Sequence, residues 1–332
     1  MKKLYLIILS VMILFVGGCG KKGEDSVVND LSKKIKDVDK YQIVGTLSIT
    51  NNDDTYIYNV NASYEKEHNF RVSLINKSNN HEQIILKNEV GVYVVTPSLN
   101  KSFKFQSDWP YNNSQIYLMH SLLEDIKNDK ERIFEEKDNQ YIFTTKVNYP
   151  NNINLVKQKI WLDDKLDFKK VEIYNQNDVP QMIMEFSSID FKPTFEDKFY
   201  ELSSIIENID VEDNSNPSGS LDDIIYPLYI PIGTVLTDKE TIAKGDGQRI
   251  ILTFDGEKPF LLVEETASVE AEFSIIPTFG EPHFLIDTIG ALTNNSITWS
   301  SNGIDYYIVS DVMNQLELLE IASSISAIPT MK

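Results

Sequence analysis

The sequence predicts a mainly antiparallel β protein with a few helices, an α+β fold arranged as two domains. Short segments alternate apolar and polar side chains, as half-buried strands do. Polar turns of a few residues separate them, which favours antiparallel pairing of consecutive strands. A few apolar stripes with helical spacing interrupt the strands. The chain of 332 residues is 42% hydrophobic and 11% aromatic, which is enough apolar material for two hydrophobic cores.

The start of the chain has the order of a bacterial lipoprotein signal. Two lysines precede an uncharged, mostly apolar run from Leu4 to Val16, and two glycines stand before Cys19, the only cysteine. The run is too short to cross a bilayer core, which needs about 20 residues. We predict a signal peptide over residues 1–18 and a diacylglyceryl group on Cys19 that anchors the mature chain to the membrane. An uncleaved membrane anchor and a soluble secreted protein with a free thiol are the alternatives.

The charge balance excludes several classes of partner. The chain has 31 Lys and Arg residues against 50 Asp and Glu residues, a net charge of −19. Removal of residues 1–18 takes away two lysines, so the mature chain has 29 basic and 50 acidic residues and a net charge of −21. Nucleic acid and anionic lipid headgroups repel such a surface. We therefore predict no nucleic-acid partner, membrane contact through the lipid alone, and a fold without disulfides.

The elements of the first domain follow one another in a regular order. A polar tether over residues 19–26 leads into an amphipathic helix, and strands follow at once. A second amphipathic helix, near residues 115–128, interrupts these strands. The predicted strands cover residues 41–49, 56–64, 70–75, 83–87, 90–96, 102–105, 140–147, 156–162, 169–175 and 182–191. Together they predict one extended, curved sheet over residues 27–208.

A linker and a smaller α+β domain complete the predicted organisation. Residues 209–223 combine acidic residues with Asn, Ser, Pro and Gly, a composition that buries little. In residues 224–332 we predict a final helix that begins near Asn314, whose spacing to Glu317 matches a capping box. The strands predicted before that helix cover residues 228–236, 248–254, 260–264, 297–299 and 306–309.

Candidate catalytic and metal-ligating residues do not form a recognisable set. The histidines are scattered, and none has the spacing that places two imidazoles on one metal ion. Paired acidic residues such as Asp53-Asp54 and Asp163-Asp164 fall in predicted turns, where they are solvated. We therefore predict a non-enzymatic protein with no metal and no cofactor. The histidines are His68, His81, His120 and His283.

Aromatic and aliphatic residues at alternating positions define a candidate hydrophobic cavity. We predict that they point to one face of the curved sheet. One interpretation is that they form the core beneath the two helices. The other is that part of this concave face is open to an acyl chain or a hydrophobic peptide, with two methionines as deformable walls. The candidate cavity residues are Tyr56, Tyr58, Tyr64, Phe70, Val72, Tyr93, Phe143, Trp161, Met182, Met184 and Phe186.

Several segments resemble a known family. Lys40-Tyr-Gln-Ile-Val-Gly-Thr-Leu-Ser-Ile49, Asn69-Phe-Arg-Val-Ser73 and Ile160-Trp-Leu-Asp163 are similar to segments of the LolA superfamily of outer-membrane lipoprotein carriers. This resemblance implies an incomplete β-barrel with helices in its mouth over residues 27–208. The stretch from Ile297 to Ser324 resembles the small second domain of sporulation lipoproteins of the YdcC type. The two-domain layout also resembles that of the anti-sigma regulators RseB and MucB.

The resemblance implies a function as well as a fold. A tethered protein cannot shuttle lipoproteins, and the position of the carriers' key arginine falls near Glu67. The relatives that fit a tether are Gram-positive envelope lipoproteins of sporulation and germination, which hold or regulate a partner such as a cell-wall amidase. The resemblance thus implies a non-catalytic regulator anchored on the extracytoplasmic face of the cell or forespore membrane. A tethered receptor for lipid or lipoprotein is the alternative.

Overall fold

The computed structural model describes residues 22–51, 54–66, 68–111, 113–149, 152, 154–209, 221, 224–244, 247–268, 272–285 and 288–325. The predicted signal peptide, Cys19, Glu67 and most of the predicted linker lie outside these residues. The chain divides into two compact units, the first ending at Asp37 and the second beginning at Val38.

The first unit contains helix α1, Glu24–Lys36. Val27, Leu31 and Ile35 follow one another at intervals of four residues, so they share one face of the helix. Acidic residues occupy the first turn and lysines the last turn, an arrangement that complements the helix dipole. The amphipathic helix predicted in this region is therefore confirmed.

The second unit contains the strands and the other described helices. The helices are α2 (Met119–Asn128), α3 (Leu202–Glu207) and α4 (Gln315–Ser324). The strands are β1 (Lys40–Asn51), β2 (Asp54–Glu65), β3 (Asn69–Asn76), β4 (Glu82–Asn88), β5 (Gly91–Thr96), β6 (Lys101–Phe105), β7 (Ile133–Lys137), β8 (Gln140–Lys146), β9 (Leu155–Leu162), β10 (Phe168–Asn175), β11 (Pro180–Asp190), β12 (Thr234–Lys244), β13 (Gly247–Gly256), β14 (Phe260–Thr266), β15 (Ser274–Thr278), β16 (Glu281–Phe284), β17 (Ile289–Leu292), β18 (Ser296–Ser301) and β19 (Ile304–Val309).

The strands form two sheets. The larger has twelve strands in the order β15-β6-β5-β4-β3-β2-β1-β11-β10-β9-β8-β7. Among the described residues its two end strands do not pair with each other, so the sheet is open. Its neighbouring strands are antiparallel except β15 and β6, which pair in parallel. The predicted mainly antiparallel fold class is confirmed.

The smaller sheet has seven strands in the order β12-β13-β14-β19-β18-β17-β16. One of its faces packs against α4, where Leu318 and Ile321 are fully buried among Leu252, Phe254 and Ile308. The predicted capping box begins this helix. Within it the side chains and backbone N–H groups of Asn314 and Glu317 bond reciprocally at 3.0 and 3.1 Å.

The strand predicted over residues 228–236 is wrong in position. The observed strand β12 begins at Thr234, and the preceding apolar residues are extended loop. Pro227 and Pro231 lie in that loop, and a proline has no N–H group to donate to a neighbouring strand. Leu228 is 81% exposed and Ile232 is 94% exposed, so this run does not supply the core.

Strand β15 joins the larger sheet although it lies far along the chain. Ser274 pairs with Lys101 and Thr278 with Phe105. Strand β16 follows directly, and its Phe284 ring meets the Tyr58 ring edge-on at 5.6 Å between centroids. A segment from late in the chain therefore completes the larger sheet, and the Phe284–Tyr58 contact packs the two sheets together.

Candidate functional site

The strand register places most of the candidate cavity residues on one face of the larger sheet. Leu47 on β1 lies opposite both Tyr58 on β2 and Met184 on β11. Residues directly opposite each other in antiparallel strands point to the same side of the sheet. The pairing of each further strand with its neighbour therefore shows which of its residues share the face of Leu47. The residues on this face are Tyr56, Tyr58, Tyr64, Phe70, Val72, Phe143, Met182, Met184 and Phe186.

Tyr93 points to the opposite face, so the prediction of a single face was wrong for this residue. It lies opposite Leu86, which itself lies opposite Arg71, the neighbour of Phe70. Successive side chains of a strand alternate between faces. Tyr93 therefore belongs to a separate core that includes Tyr200.

Trp161 also points to the opposite face. It pairs with Ile142 and Lys170, whereas the preceding residue, Ile160, pairs with Phe143. The Nζ atom of Lys170 lies 4.1 Å from the centre of the Trp161 ring, a cation-π contact on the outer face of the sheet. The predicted alternation of buried and exposed residues is correct within each strand. The prediction of which alternating set faces the same side in different strands was wrong for Tyr93 and Trp161.

Most residues of the shared face are buried. Tyr58, Tyr64, Phe70, Val72, Phe143, Met184 and Phe186 are each at most 9% exposed, while Tyr56 and Met182 are half-buried. The Tyr64 ring stacks on Tyr41 at 5.1 Å and contacts Phe70 at 5.0 Å. This burial supports the interpretation of the shared face as core.

Helix α2 brings a histidine onto this aromatic cluster. The ring of His120 lies 4.4 Å from that of Tyr64 and 5.7 Å from that of Tyr41. Burial, aided by the charge of the nearby His68, lowers the pKa of His120 to about 4. The imidazole is therefore neutral at physiological pH. Its Nδ1 atom is buried and has no hydrogen-bond partner among the described residues.

Tyr111 closes the outer end of the cluster. Its hydroxyl is hydrogen-bonded to Nδ1 of His68, and its ring meets Phe70 edge-on at 6.2 Å. Desolvation, aided by Tyr64, raises the pKa of Tyr111 to about 12. The side chain is still 55% exposed, so it is both part of the aromatic cluster and accessible from outside.

An open groove of about 980 Å³ lies beside α2. We call it the α2 groove, and it is lined by α2 residues, by the loop from Pro110 to Leu118, by Phe70 and by residues 146–148. Its volume is near the upper end of the range of about 300–1,000 Å³ typical of ligand pockets. Aromatic and leucine side chains contribute to its apolar wall, and its polar lining includes carboxylates, amides, serine hydroxyls and two lysines.

Asp125 is the most perturbed carboxylate that lines the α2 groove. Burial raises its pKa to about 6, against the lowering effect of hydrogen bonds from Gln158 and Ser114. The Gln158 amide donates to one carboxylate oxygen at 2.7 Å, and the Ser114 hydroxyl donates to the other at 3.0 Å. Both donors are neutral groups. A carboxylate in this position attracts a cation or a proton.

The α2 groove is not predicted from the sequence, although one local pattern indicates part of it. His120 stands four residues after Ile116 and three before Leu123, within the apolar stripe of the predicted helix. A histidine inside such a stripe faces the core. Asp125 stands directly before the apolar Ile126. Its hydrogen-bond donor Gln158 lies on β9, far from it in the sequence.

In the part of the chain that the structure describes, no three His, Cys, Asp or Glu side chains are grouped as a metal site requires. None of the described helices combines the length and the apolar character needed to span a membrane.

Comparison with known proteins places the chain in a family. No family model matches the sequence. The chain is 35% identical over 328 residues to the sporulation protein YdcC of Bacillus subtilis strain 168, and the match covers 97% of each chain. The chain belongs to the YdcC family. Because the match spans both chains almost completely, it includes both sheets.

Three solved structures show weaker similarity to this YdcC family member. The MucA/MucB complex of Pseudomonas aeruginosa matches at 12% identity and a TM-score of 0.32, over 90% of this chain and 97% of that one. A LolA superfamily protein of Nitrosomonas europaea matches at 12% identity and a TM-score of 0.32, over 55% and 100%. The complex of the CwlD amidase with the GerS lipoprotein from Clostridioides difficile matches at 14% identity and a TM-score of 0.25, over 52% and 98%. None of these similarities defines a site in this chain.

Proposed function

We propose that this YdcC family member is a lipid-anchored, non-catalytic envelope protein that works in sporulation by holding or regulating a protein partner. The observation that carries the proposal is the 35% identity to a sporulation protein over 97% of both chains. Identity maintained over that length favours a shared role of the whole chain rather than of one module.

The chemistry of the α2 groove supports a non-catalytic role. Ser114 donates to Asp125, but it is only 3% exposed and its oxygen accepts the N–H of Asn148 at 2.9 Å. A nucleophile needs an accessible oxygen and a base directed at it. His120, the histidine that lines the groove, packs against tyrosine rings. This arrangement suits binding better than bond breaking.

The membrane anchor rests on the sequence of the first residues. The lysine pair, the apolar run and Cys19 stand in the order of a lipoprotein signal. A diacylglyceryl group on Cys19 holds the mature chain on the extracytoplasmic face of the cell or forespore membrane. An envelope protein of that compartment, such as a cell-wall amidase, is the partner we propose, and the net charge of −21 on the mature chain favours a basic surface on it.

The test uses the full chain with a C-terminal tag in sporulating cells of its own organism. We expect the wild type and a Lys21→Ala control in the membrane fraction, together with one enriched envelope protein after cross-linking. Cys19→Ala should leave the membrane fraction. A Cys19→Ala variant that remains membrane-bound would contradict the anchor. A wild type that enriches no envelope protein above an untagged strain would contradict the partner.

A second candidate is a tethered receptor for lipid or lipoprotein. The open volume of the α2 groove favours it, whereas the burial of the shared sheet face does not. Native mass spectrometry after incubation with a membrane extract separates the two candidates. A retained lipid supports the receptor, and an unchanged protein mass supports the scaffold.

A further inference from the structure

The α2 groove combines apolar surface with uncompensated negative charge. Phe70, Tyr111 and Leu123 contribute to its apolar wall. Four acidic side chains line it against two lysines. Lys146 is ion-paired with Glu131, whereas Asp125 forms no ion pair with a lysine or arginine among the described residues.

Among the carboxylates of the groove, Asp125 has the surroundings that most favour binding of a cation. Its two hydrogen bonds come from a serine and a glutamine, and the neighbouring Glu124 adds a like charge. Glu124 itself pairs with Lys127 at 2.8 Å. Asp125 is half-buried, and a carboxylate partly removed from water without a cationic partner is costly to keep ionised. A ligand ammonium or guanidinium group would supply the missing charge.

The polar part of the lining distinguishes a peptide from an acyl chain. Asn113, Ser121, Asn128 and Asn148 line the groove beside the acidic residues. Amide and hydroxyl groups bond the N–H and C=O groups of an extended peptide backbone. An acyl chain in the same place would displace water from these groups and form no hydrogen bonds with them. The loss of those hydrogen bonds costs free energy.

We propose that the α2 groove binds an extended peptide segment in which an apolar side chain stands next to a lysine or arginine. The apolar side chain packs on Tyr111, and the cation approaches Asp125. The inference rests on the proposed function, since it assigns the segment to the protein partner. It commits to a peptide and not to a lipid.

The experiment selects peptides from a random heptapeptide phage library on the full chain in mild detergent. We expect enriched sequences that place Lys or Arg beside a Phe, Leu or Ile residue. A fluorescent synthetic copy of the most enriched peptide is then measured against variants. Asp125→Asn and Tyr111→Ala should each weaken its binding at least tenfold, while Asp311→Asn and Tyr307→Ala, matched exposed residues outside the groove, should not change it.

The outcomes separate the inference from the proposed function. Failure to enrich any peptide, enrichment of acidic or wholly apolar peptides, or equal binding by wild type and Asp125→Asn would overturn the inference. So would a phospholipid retained in native mass spectra and lost in Tyr111→Ala. Thermal unfolding of each variant shows whether it is folded. If Asp125→Asn still enriches the same envelope protein in sporulating cells, the proposed function stands and the groove is not its binding site.

Discussion

The side-chain amide of Gln83 donates a hydrogen bond to the hydroxyl of Thr288 at 3.0 Å. The carbonyl of the same amide accepts the backbone N–H of Ile289 at 2.7 Å. Gln83 lies on β4 of the larger sheet, whereas Ile289 begins β17 of the smaller one. A single buried side chain on one sheet therefore satisfies two polar groups at the start of strand β17 in the other sheet.

Replacement of Gln83 by alanine should destabilise the protein. The buried N–H of Ile289 and hydroxyl of Thr288 would lose their partner, and an orphaned buried polar group costs about 1–3 kcal/mol. Denaturant unfolding of Gln83→Ala measures the loss. Gln176→Ala, at an exposed turn residue, is the control and should change stability by less than about 0.5 kcal/mol. Equal stability of the two variants would refute this role of Gln83.

Glu264 should make the protein less stable as the pH rises. It is fully buried, one of its oxygens accepts the Ile225 N–H at 3.1 Å, and burial raises its pKa from 4.5 to about 7. Below pH 4.5 the group is protonated in both folded and unfolded chains. As the pH rises through 7 the folded chain must bury a carboxylate, and stability falls.

Glu264→Gln should remove that penalty. We expect the variant to be more stable than the wild type by about 1–3 kcal/mol at pH 8, with the difference shrinking towards pH 4.5. Urea unfolding at several pH values measures it. Glu265→Gln is the matched control with the opposite sign, because Glu265 is ion-paired with Lys244 and Arg249. A pH-independent difference for Glu264→Gln would disprove the burial argument.

Asn314→Ala should weaken the start of α4. The substitution removes the side-chain acceptor of the Glu317 N–H, and loss of such a cap costs about 0.5–2 kcal/mol. Thermal unfolding followed by circular dichroism records the effect. Asn314→Gly should cost only a few tenths of a kcal/mol, because glycine is well tolerated at N-cap positions. The prediction fails if the glycine variant is the less stable of the two.

Gly45 should resist substitution by alanine. A Cβ atom at this position would lie 2.4 Å from the carbonyl oxygen of Glu185 and 2.5 Å from Cε of Met184. The register between β1 and β11 also shifts there, so the backbone has little room to adjust. Overpacking of this kind costs about 1–3 kcal/mol.

The neighbouring Val44 provides the control for Gly45→Ala. It is 41% exposed, and Val44→Ala should have a much smaller effect on denaturant unfolding. If both variants unfold at the same denaturant concentration, the close approach at Gly45 is not maintained in solution.

Strands with regular alternation could be predicted from the sequence because one face of each is buried. The alternating apolar residues of Tyr41 to Ile49 and Tyr56 to Tyr64 fall within β1 and β2, which pair along their whole length. The capping box at Asn314 was equally local. Such features depend on neighbours a few residues away, and the sequence displays those neighbours directly.

Features set by distant pairing could not be predicted in this way. Strand β15 contains Pro277 and pairs in parallel with β6, a partner that no local pattern indicates; the proline is tolerated because β15 is an edge strand. Strand β7 is mostly exposed, so it lacks an apolar period. The opposite orientations of Tyr93 and Trp161 depend on register between strands, which the spacing within one strand does not determine.

The α2 groove was hidden from the sequence for the same reason. Asp125 and Gln158 are brought together by the contact of α2 with the larger sheet, and nothing near either residue marks the other. His120 could have been singled out by its place in the apolar stripe. The functional class, by contrast, followed from the N-terminal residues and the family resemblance rather than from any site.

The parallel pairing of β15 with β6 also sets an order of assembly. A chain synthesised from its N-terminus contains β6 long before it contains residues 274–278. Until these residues are made, the edge of β6 has unpaired N–H and C=O groups that can pair with any neighbouring strand. The larger sheet is therefore completed only late in synthesis, and a product truncated before residue 274 would have an aggregation-prone sheet edge.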